Sequence, residues 1–356
     1  MSRFIYSLKA RLRWLPLALR DAASNRRWVT AEKRFLVVRH SGRQPGFYGD
    51  FLQWVAATFP ELRAFFELRL LPYRVREGSP YLLHIPWLQD PLQHWSPRGY
   101  VQACRLAADC DRYQIPIVNR VDRLSNAAKS ECARRLSRIG IRTPKMVDIQ
   151  NINDFRETLG GMEPPLLVRE NSGHGGSIVL IERPCDVAEA PLERFSHPVA
   201  VEFIDTRNPN DGLYRRYRYL AAGDVGLSDG IHIARSWEVR GKYRLTNDAT
   251  KQEELDFVTK PNPHHRELQL ARKELGLDFV AFDYTYDCKG QMIVWEANPY
   301  PSIRWSTDPG RQYVLPATER DFAAMLALYL QRAGLEVPAR LESILAGKEL
   351  QARSAA

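Results

Sequence analysis

The sequence predicts a mixed protein, an α/β unit followed by α+β lobes, and three observations carry that reading. Arg34-Phe35-Leu36-Val37-Val38 and Tyr81-Leu82-Leu83-His84-Ile85 are short apolar runs separated by helical patterns, as in a small open sheet of parallel character. Leu166-Leu167-Val168-Arg169 passes through a glycine-rich turn into Ile178-Val179-Leu180-Ile181, which reads as a hairpin. Residues 279–286 and 292–297, joined by Asp287-Cys288-Lys289-Gly290, read as a second hairpin. With 356 residues the chain can bury a sizeable core and hold two or three subdomains.

Composition narrows the class. Hydrophobic residues at 44% and aromatics at 10% describe a globular chain, and no apolar run is long enough to span a bilayer. The five cysteines show no CxxC spacing and are odd in number, which fits a reducing cytoplasm better than a disulfide or zinc framework. The net charge of +9 is confined to one end: residues 1–43 carry eleven Lys or Arg against two acids, and the remainder is balanced. A general polyanion surface is therefore not expected, and nucleic acid is not an expected partner.

Taken in order, residues 1–30 form a basic amphipathic segment with Phe4, Ile5, Leu8, Leu12 and Leu15 at helical spacing, which Pro16 should break or kink. Such a helix either packs on the protein's own body or, through residues 2–28, makes peripheral contact with the inner face of a membrane. Residues 31–118 form the α/β domain, with a helix beginning near Asp50, another over 100–113 and a third strand at 115–119. A helix over 125–139 ends at Gly140. Residues 119–200 make a small lobe bearing the glycine-rich hairpin, and residues 201–335 a larger lobe. In the larger lobe, strands are expected over 199–205, 213–222 and 231–235, a polar loop over 240–262, and helices over 264–275 and 318–333. Residues 336–356 read as a tail.

The chemistry concentrates in the two hairpins. In Val294-Trp295-Glu296-Ala297-Asn298 the period of two puts Glu296 and Asn298 on one face, and an antiparallel partner can set Asp283 opposite them. Two carboxylates and an amide oxygen suit Mg²⁺ bridging nucleotide phosphates, the alternative being a solvated surface hairpin. Glu296 sits in an otherwise apolar strand, where an unpartnered carboxylate is costly. In the first hairpin, Gly173, Gly175 and Gly176 let backbone amides approach phosphate oxygens, and Arg169 supplies fixed charge.

These segments resemble the ATP-grasp superfamily, and within it the ribosomal-protein glutamate ligases and their carboxylate–amine ligase relatives. The resemblance spans about residues 119–303, through LLVRENSGHGGSIV, VEFID, RYRYLAAGD, IHIARSWEVRGKYRLTND and GLDFVAFDYTYDCKGQMIVWEANPYPS. It implies an ATP-grasp fold, two α+β lobes holding ATP between them, preceded by the α/β domain. By the same resemblance Asp283, Glu296 and Asn298 hold magnesium, and Lys129 and Arg169 contact the phosphates, Arg169 standing where a lysine is usual. Gly173, His174, Gly175 and Gly176 form the lid, while Glu202, Phe203, Ile204 and Asp205 form the hinge that reads adenine and ribose. Arg218 and Arg235 sit at the reacting phosphoryl group, and Arg304 is either a substrate-carboxylate anchor or a surface ion pair.

The implied activity is ATP-dependent joining of a small-molecule or peptide carboxylate to an amine (or thiol) through an acyl phosphate, with ADP and phosphate released. Peptide natural-product or cell-envelope biosynthesis is the expected setting. Phosphorylation without ligation, or a nucleotide-binding module of a membrane-surface assembly, are the alternatives, and an oligomer is left open. Arg215, Arg216, Arg240, Lys242 and Arg244 either read an acidic substrate or are solvated charge. The aromatics of 213–245 read as core, and His264-His265 as a helix cap.

Overall fold

The computed structural model describes residues 2–43, 48–173 and 176–347, without the side chains of residues 2–11 and Lys242. His174, Gly175 and residues 348–356 lie outside this part, as do the side chains of Phe4, Ile5 and Leu8. The chain divides into two compact units, one of residues 1–124, 277–279 and 299–356, the other of residues 125–276 and 280–298. Among the described residues the named strands form three sheets.

The first unit is built on a parallel sheet of order β2-β1-β3, with β1 Arg34–Arg39, β2 Phe66–Leu70 and β3 Tyr81–Trp87. Phe35 to Val38 are fully buried, as expected for a strand covered on both faces. Helices α1 (Ser2–Trp28), α2 (Tyr48–Thr58), α3 (Pro60–Arg63), α4 (Leu92–Trp95), α5 (Pro97–Arg112), α10 (Leu315–Arg332) and α11 (Ala339–Leu345) complete it. An aromatic cluster fills its core. Phe51 of α2 meets Phe66, Trp87, Phe322 and Tyr329, with ring centroids 5.8–6.2 Å apart, and Tyr48 stacks on Trp87 at 3.8 Å.

Asn119, at φ 53°, closes this unit: its side chain accepts from the amides of Asp278 and Phe279 and donates to the carbonyls of Phe279 and Pro299. Asparagine tolerates the left-handed region because its amide can bond backbone locally.

The second unit carries two antiparallel sheets. One has the order β4-β7-β5-β6: β4 Met146–Asp148, β5 Leu166–Glu170, β6 Ile178–Ile181 and β7 Pro198–Glu202. The other has the order β11-β10-β8-β9: β8 Tyr214–Ala222, β9 Val225–Ala234, β10 Phe279–Tyr286 and β11 Met292–Asn298. Helices α6 (Lys129–Arg138), α7 (Ile152–Thr158), α8 (Asp248–Thr259) and α9 (His265–Leu275) pack on these sheets.

Several expectations need correcting. Helix α1 runs through Pro16 unbroken. Leu12 and Pro16 are both exposed, so water can satisfy the carbonyl that proline leaves without a donor. Residues 240–262 hold α8, whose Asn247 side chain accepts from the Thr250 amide in a capping box. The half-buried Arg244, paired with the buried Glu254, ties that helix down. The strand expected over 115–119 reduces to one parallel bridge, His84 to Ile117. The tail contains α11, anchored by the buried Leu341. Residues 299–335, grouped with the large lobe in the sequence reading, belong to the first unit by their contacts.

Candidate functional site

The second unit contains a cleft of about 320 Å³ whose walls come from both of its sheets. Along β5 the strand period brings Leu167 and Arg169 to one face; along β8 it does the same for Arg216 and Arg218. Strands β10 and β11 add Asp283, Trp295, Glu296 and Asn298, and the segment after β9 adds Trp237 to Gly241.

The register of β10 against β11 is the centre of the site. Asp283 lies directly opposite Glu296, and Ala281 opposite Asn298. Pairing then slips, because Tyr284 meets Val294 and leaves Trp295 without a partner on β10. That bulge brings the consecutive residues Trp295 and Glu296 to the same cleft, which an uninterrupted alternation forbids.

Two facing carboxylates repel unless each is compensated. The Arg218 Nε donates to Asp283 Oδ1 at 2.8 Å, and an Arg216 nitrogen stands 3.5 Å from Oδ2. On the other side Arg169 donates to Glu296 at 3.1 Å, with the Lys129 ammonium 3.9 Å away. Lys129 is itself buried and donates to the Gly173 carbonyl at 2.7 Å.

Burial alone would raise the Asp283 carboxyl, but the Arg218 and Arg216 guanidinium groups outweigh it and hold it below the usual carboxylate range. The charge of Asp283 in turn raises Arg218 against the opposing effect of burial. Burial first, then Arg216, Arg244 and Arg218, push His232 down to about 3. The neutral ring accepts from Arg216 at Nδ1, 3.2 Å away, because a guanidinium can only donate. Burial also lowers Arg240, which pairs with Glu238 at 3.1 Å, and nearby Arg169 and Arg216 add to the effect.

A second part of the cleft is apolar. Leu167, Ile178, Phe203, Trp237 and Trp295 share a cluster, with Phe203 and Trp237 edge to face at 6.0 Å. A flat aromatic heterocycle suits such a wall, and the charged end suits a polyanion with its cations.

Of the residues singled out from sequence, Arg169, Phe203, Ile204, Arg218, Asp283, Glu296 and Asn298 line this cleft, and Lys129 joins them through Glu296. Others fall elsewhere. Glu202 accepts from the Lys145 amide and lines a separate polar cavity. Asp205 accepts from the Arg207 amide. Arg235 is exposed just past the end of β9, and Arg304 is exposed in the first unit, donating to Ser302. Gly173 sits at φ 78°, where glycine is favoured, and Gly176 is exposed. His174 and Gly175, expected in the lid, lie outside the described residues. Arg215, Arg216 and Arg240 line the cleft, Arg215 held by Asp211 and Glu253 and Arg240 by Glu238, while Arg244 is held by Glu254; the Lys242 side chain lies outside the described part.

Sequence reasoning missed Trp237 and Trp295 as cleft residues. The bulge that aims Trp295 has no local signature. Phe203 and Trp237 are far apart in sequence.

The arrangement is a cleft between two sheets with an acidic centre ringed by guanidinium groups. No family model matches the sequence, and no curated protein does. Solved structures do. A D-alanine–D-alanine ligase from Bacillus anthracis, complexed with ATP, aligns with a TM-score of 0.52 at 15% identity, covering 92% of this chain and 99% of that one. The macrocyclase MdnC from Microcystis aeruginosa, bound with the precursor peptide MdnA, gives 0.51 at 10% identity over 83% and 99%. A RimK domain ATP-grasp protein from Sphaerobacter thermophilus gives 0.50 at 16% identity over 83% and 99%. The chain has the ATP-grasp fold.

Proposed function

We propose that this chain is an ATP-dependent ligase that joins a carboxylate to an amine (or thiol) through an acyl phosphate and releases ADP and phosphate. The observation that carries the reading is the placement of Asp283 opposite Glu296, with Asn298 beside them, in a cleft lined by Arg169 and Arg218. Hard oxygen donors in that grouping fit magnesium. The described residues contain no cluster of three His, Cys, Asp or Glu able to hold a metal, so Asn298 would complete the donor set. Bound there, magnesium would neutralise phosphate charge.

The chain's own residues account for the rest. Leu167, Ile178, Phe203, Trp237 and Trp295 would enclose the adenine of the ATP substrate, and the backbone at Ile204 would border it. Arg169 and Lys129 would bind the phosphates, exchanging their contact with Glu296 for one with substrate. Arg218 would stand at the transferring phosphoryl group. A substrate carboxylate oxygen attacks the γ-phosphorus as its bond to the β-bridging oxygen breaks, and ADP leaves. The amine then attacks the acyl carbon, phosphate departs with the bonding electrons, and the amine loses a proton. Arg216 and Arg240 border the same cleft and suit a substrate bearing a second acidic group, as a peptide carboxylate can.

The deciding measurement is the nucleotide product with candidate acids, each with and without an amine. ADP and phosphate formed only when both are present support ligation. ADP formed with the acid alone, together with a stable phosphorylated acid, supports a kinase, and AMP with pyrophosphate overturns the acyl-phosphate route. Glu296→Gln should lower turnover by about 10³-fold or more with thermal unfolding little changed. Magnesium-dependent activity surviving in that variant would refute the assigned metal site.

A further inference from the structure

Helix α1 presents one face to the protein and leaves another bare. Its inner face is held at four points: Asp21 pairs with the buried Arg39, and Ser24 accepts from Arg63 at 3.0 Å. The Asn25 amide exchanges two bonds of 2.9 Å with the backbone of Leu68, and the Arg63 guanidinium lies over the Trp28 ring. These residues recur at helical spacing and fix how the helix is rotated. Leu12, Leu15 and Leu19 fall on another stripe, and they are 71%, 59% and 63% exposed. A single exposed leucine is ordinary, but three in one stripe, on a helix whose C-terminal half is anchored by its other side, form a patch.

Charge identifies what covers that patch. Helix α1 carries seven Lys or Arg, and its one acid, Asp21, is buried against Arg39. Among the described side chains of the helix, the exposed charges are therefore all basic (Arg13, Arg20, Arg26 and Arg27), with Arg13 and Arg20 beside the leucines. A second copy of the helix could bury the leucines only by bringing like charges together. An anionic surface accepts both features at once. None of the described helices is long and apolar enough to cross a membrane, so α1 would lie along the surface. We propose that α1 docks this protein on bilayers containing anionic phospholipid, with Leu12, Leu15 and Leu19 inserted among the acyl chains and its basic residues at the headgroups.

The test is flotation of the full chain with vesicles of phosphatidylcholine alone and of equal parts phosphatidylcholine and phosphatidylglycerol. The protein should float with the mixed vesicles, about tenfold or more better than with phosphatidylcholine alone, and added salt should weaken that binding. The triple change Leu12→Ser, Leu15→Ser and Leu19→Ser should cut binding about tenfold or more while melting temperature and turnover in solution stay unchanged. Arg13→Ser with Arg20→Ser should cut it about twentyfold at low salt. Failure to float overturns the proposal, as does equal flotation of the triple variant or equal binding to neutral vesicles. So does light scattering that shows wild-type self-association abolished by the leucine changes, because the stripe would then join two copies.

Discussion

The two compact units solve the same packing problem in different ways. In the first, the space beside a parallel sheet is filled by rings: Phe51, Phe66, Trp87, Phe322 and Tyr329 interlock. In the second, the space between two antiparallel sheets is left open and lined by arginines, Asp283 and Glu296. Filling such a space with apolar atoms yields stability, whereas leaving charges there adds little net stability, since desolvation offsets much of each ion pair. The first unit thus has a filled core, and the second an open charged cleft, where the proposed reaction would take place.

Phe51→Ala, in the fully buried ring cluster, should cost about 4 kcal/mol of stability, measured by denaturant unfolding. Nucleotide affinity, measured below the transition, should stay within about a factor of two. A large loss of affinity there would show that the first unit's core also shapes the site.

Acid gives a smaller effect. His84 is buried, donates from Nδ1 to the Leu36 carbonyl at 3.0 Å, and is pushed down to about 4, chiefly by burial. Above its unfolded value near 6.5 the ring is neutral in both states and stability is full. As pH falls from there toward 4, the unfolded chain takes up a proton that the folded one refuses, and stability drops. The loss attributable to this residue should be roughly 2 kcal/mol by about pH 5. A His84→Gln variant should show a correspondingly shallower decline in melting temperature between about pH 7 and pH 5. An unchanged slope would remove His84 as the source.

Smallest in energy is the converse test. Trp237→Ala should weaken ATP binding about tenfold by calorimetry while stability changes by about 1 kcal/mol or less. A change confined to stability would move Trp237 from the nucleotide wall to the packing.

Periodicity made part of this legible. Both hairpins and the shared face of Glu296 and Asn298 follow from alternation along strands, and Asp283 opposite Glu296 follows from antiparallel pairing. The ATP-grasp fold was visible in the same segments. What sequence hid depends on distant partners or on solvent. Phe203 and Trp237 meet only after folding. Helix α8 has a weak apolar face and is fixed by its cap and by Glu254 buried against Arg244, although the Asn247-x-x-Thr250 spacing was there to be read. Pro16 looked like a stop because the pattern does not show which side of a helix meets water. Arg235, which the resemblance groups with Arg218 near the phosphates, stands exposed one residue past the end of β9.

The unpaired Trp295 has a consequence for how this protein can change. In the proposed site its neighbour offers a carboxylate while it offers a flat apolar surface, and both look the same way. A single supernumerary residue meets that demand, so the strand's phase matters more than its composition. Removing that one residue would leave every ligand type present in the gene and restore regular pairing, yet strip the wall from beside the acid. Length, at this point of the chain, is as much a chemical choice as side-chain identity.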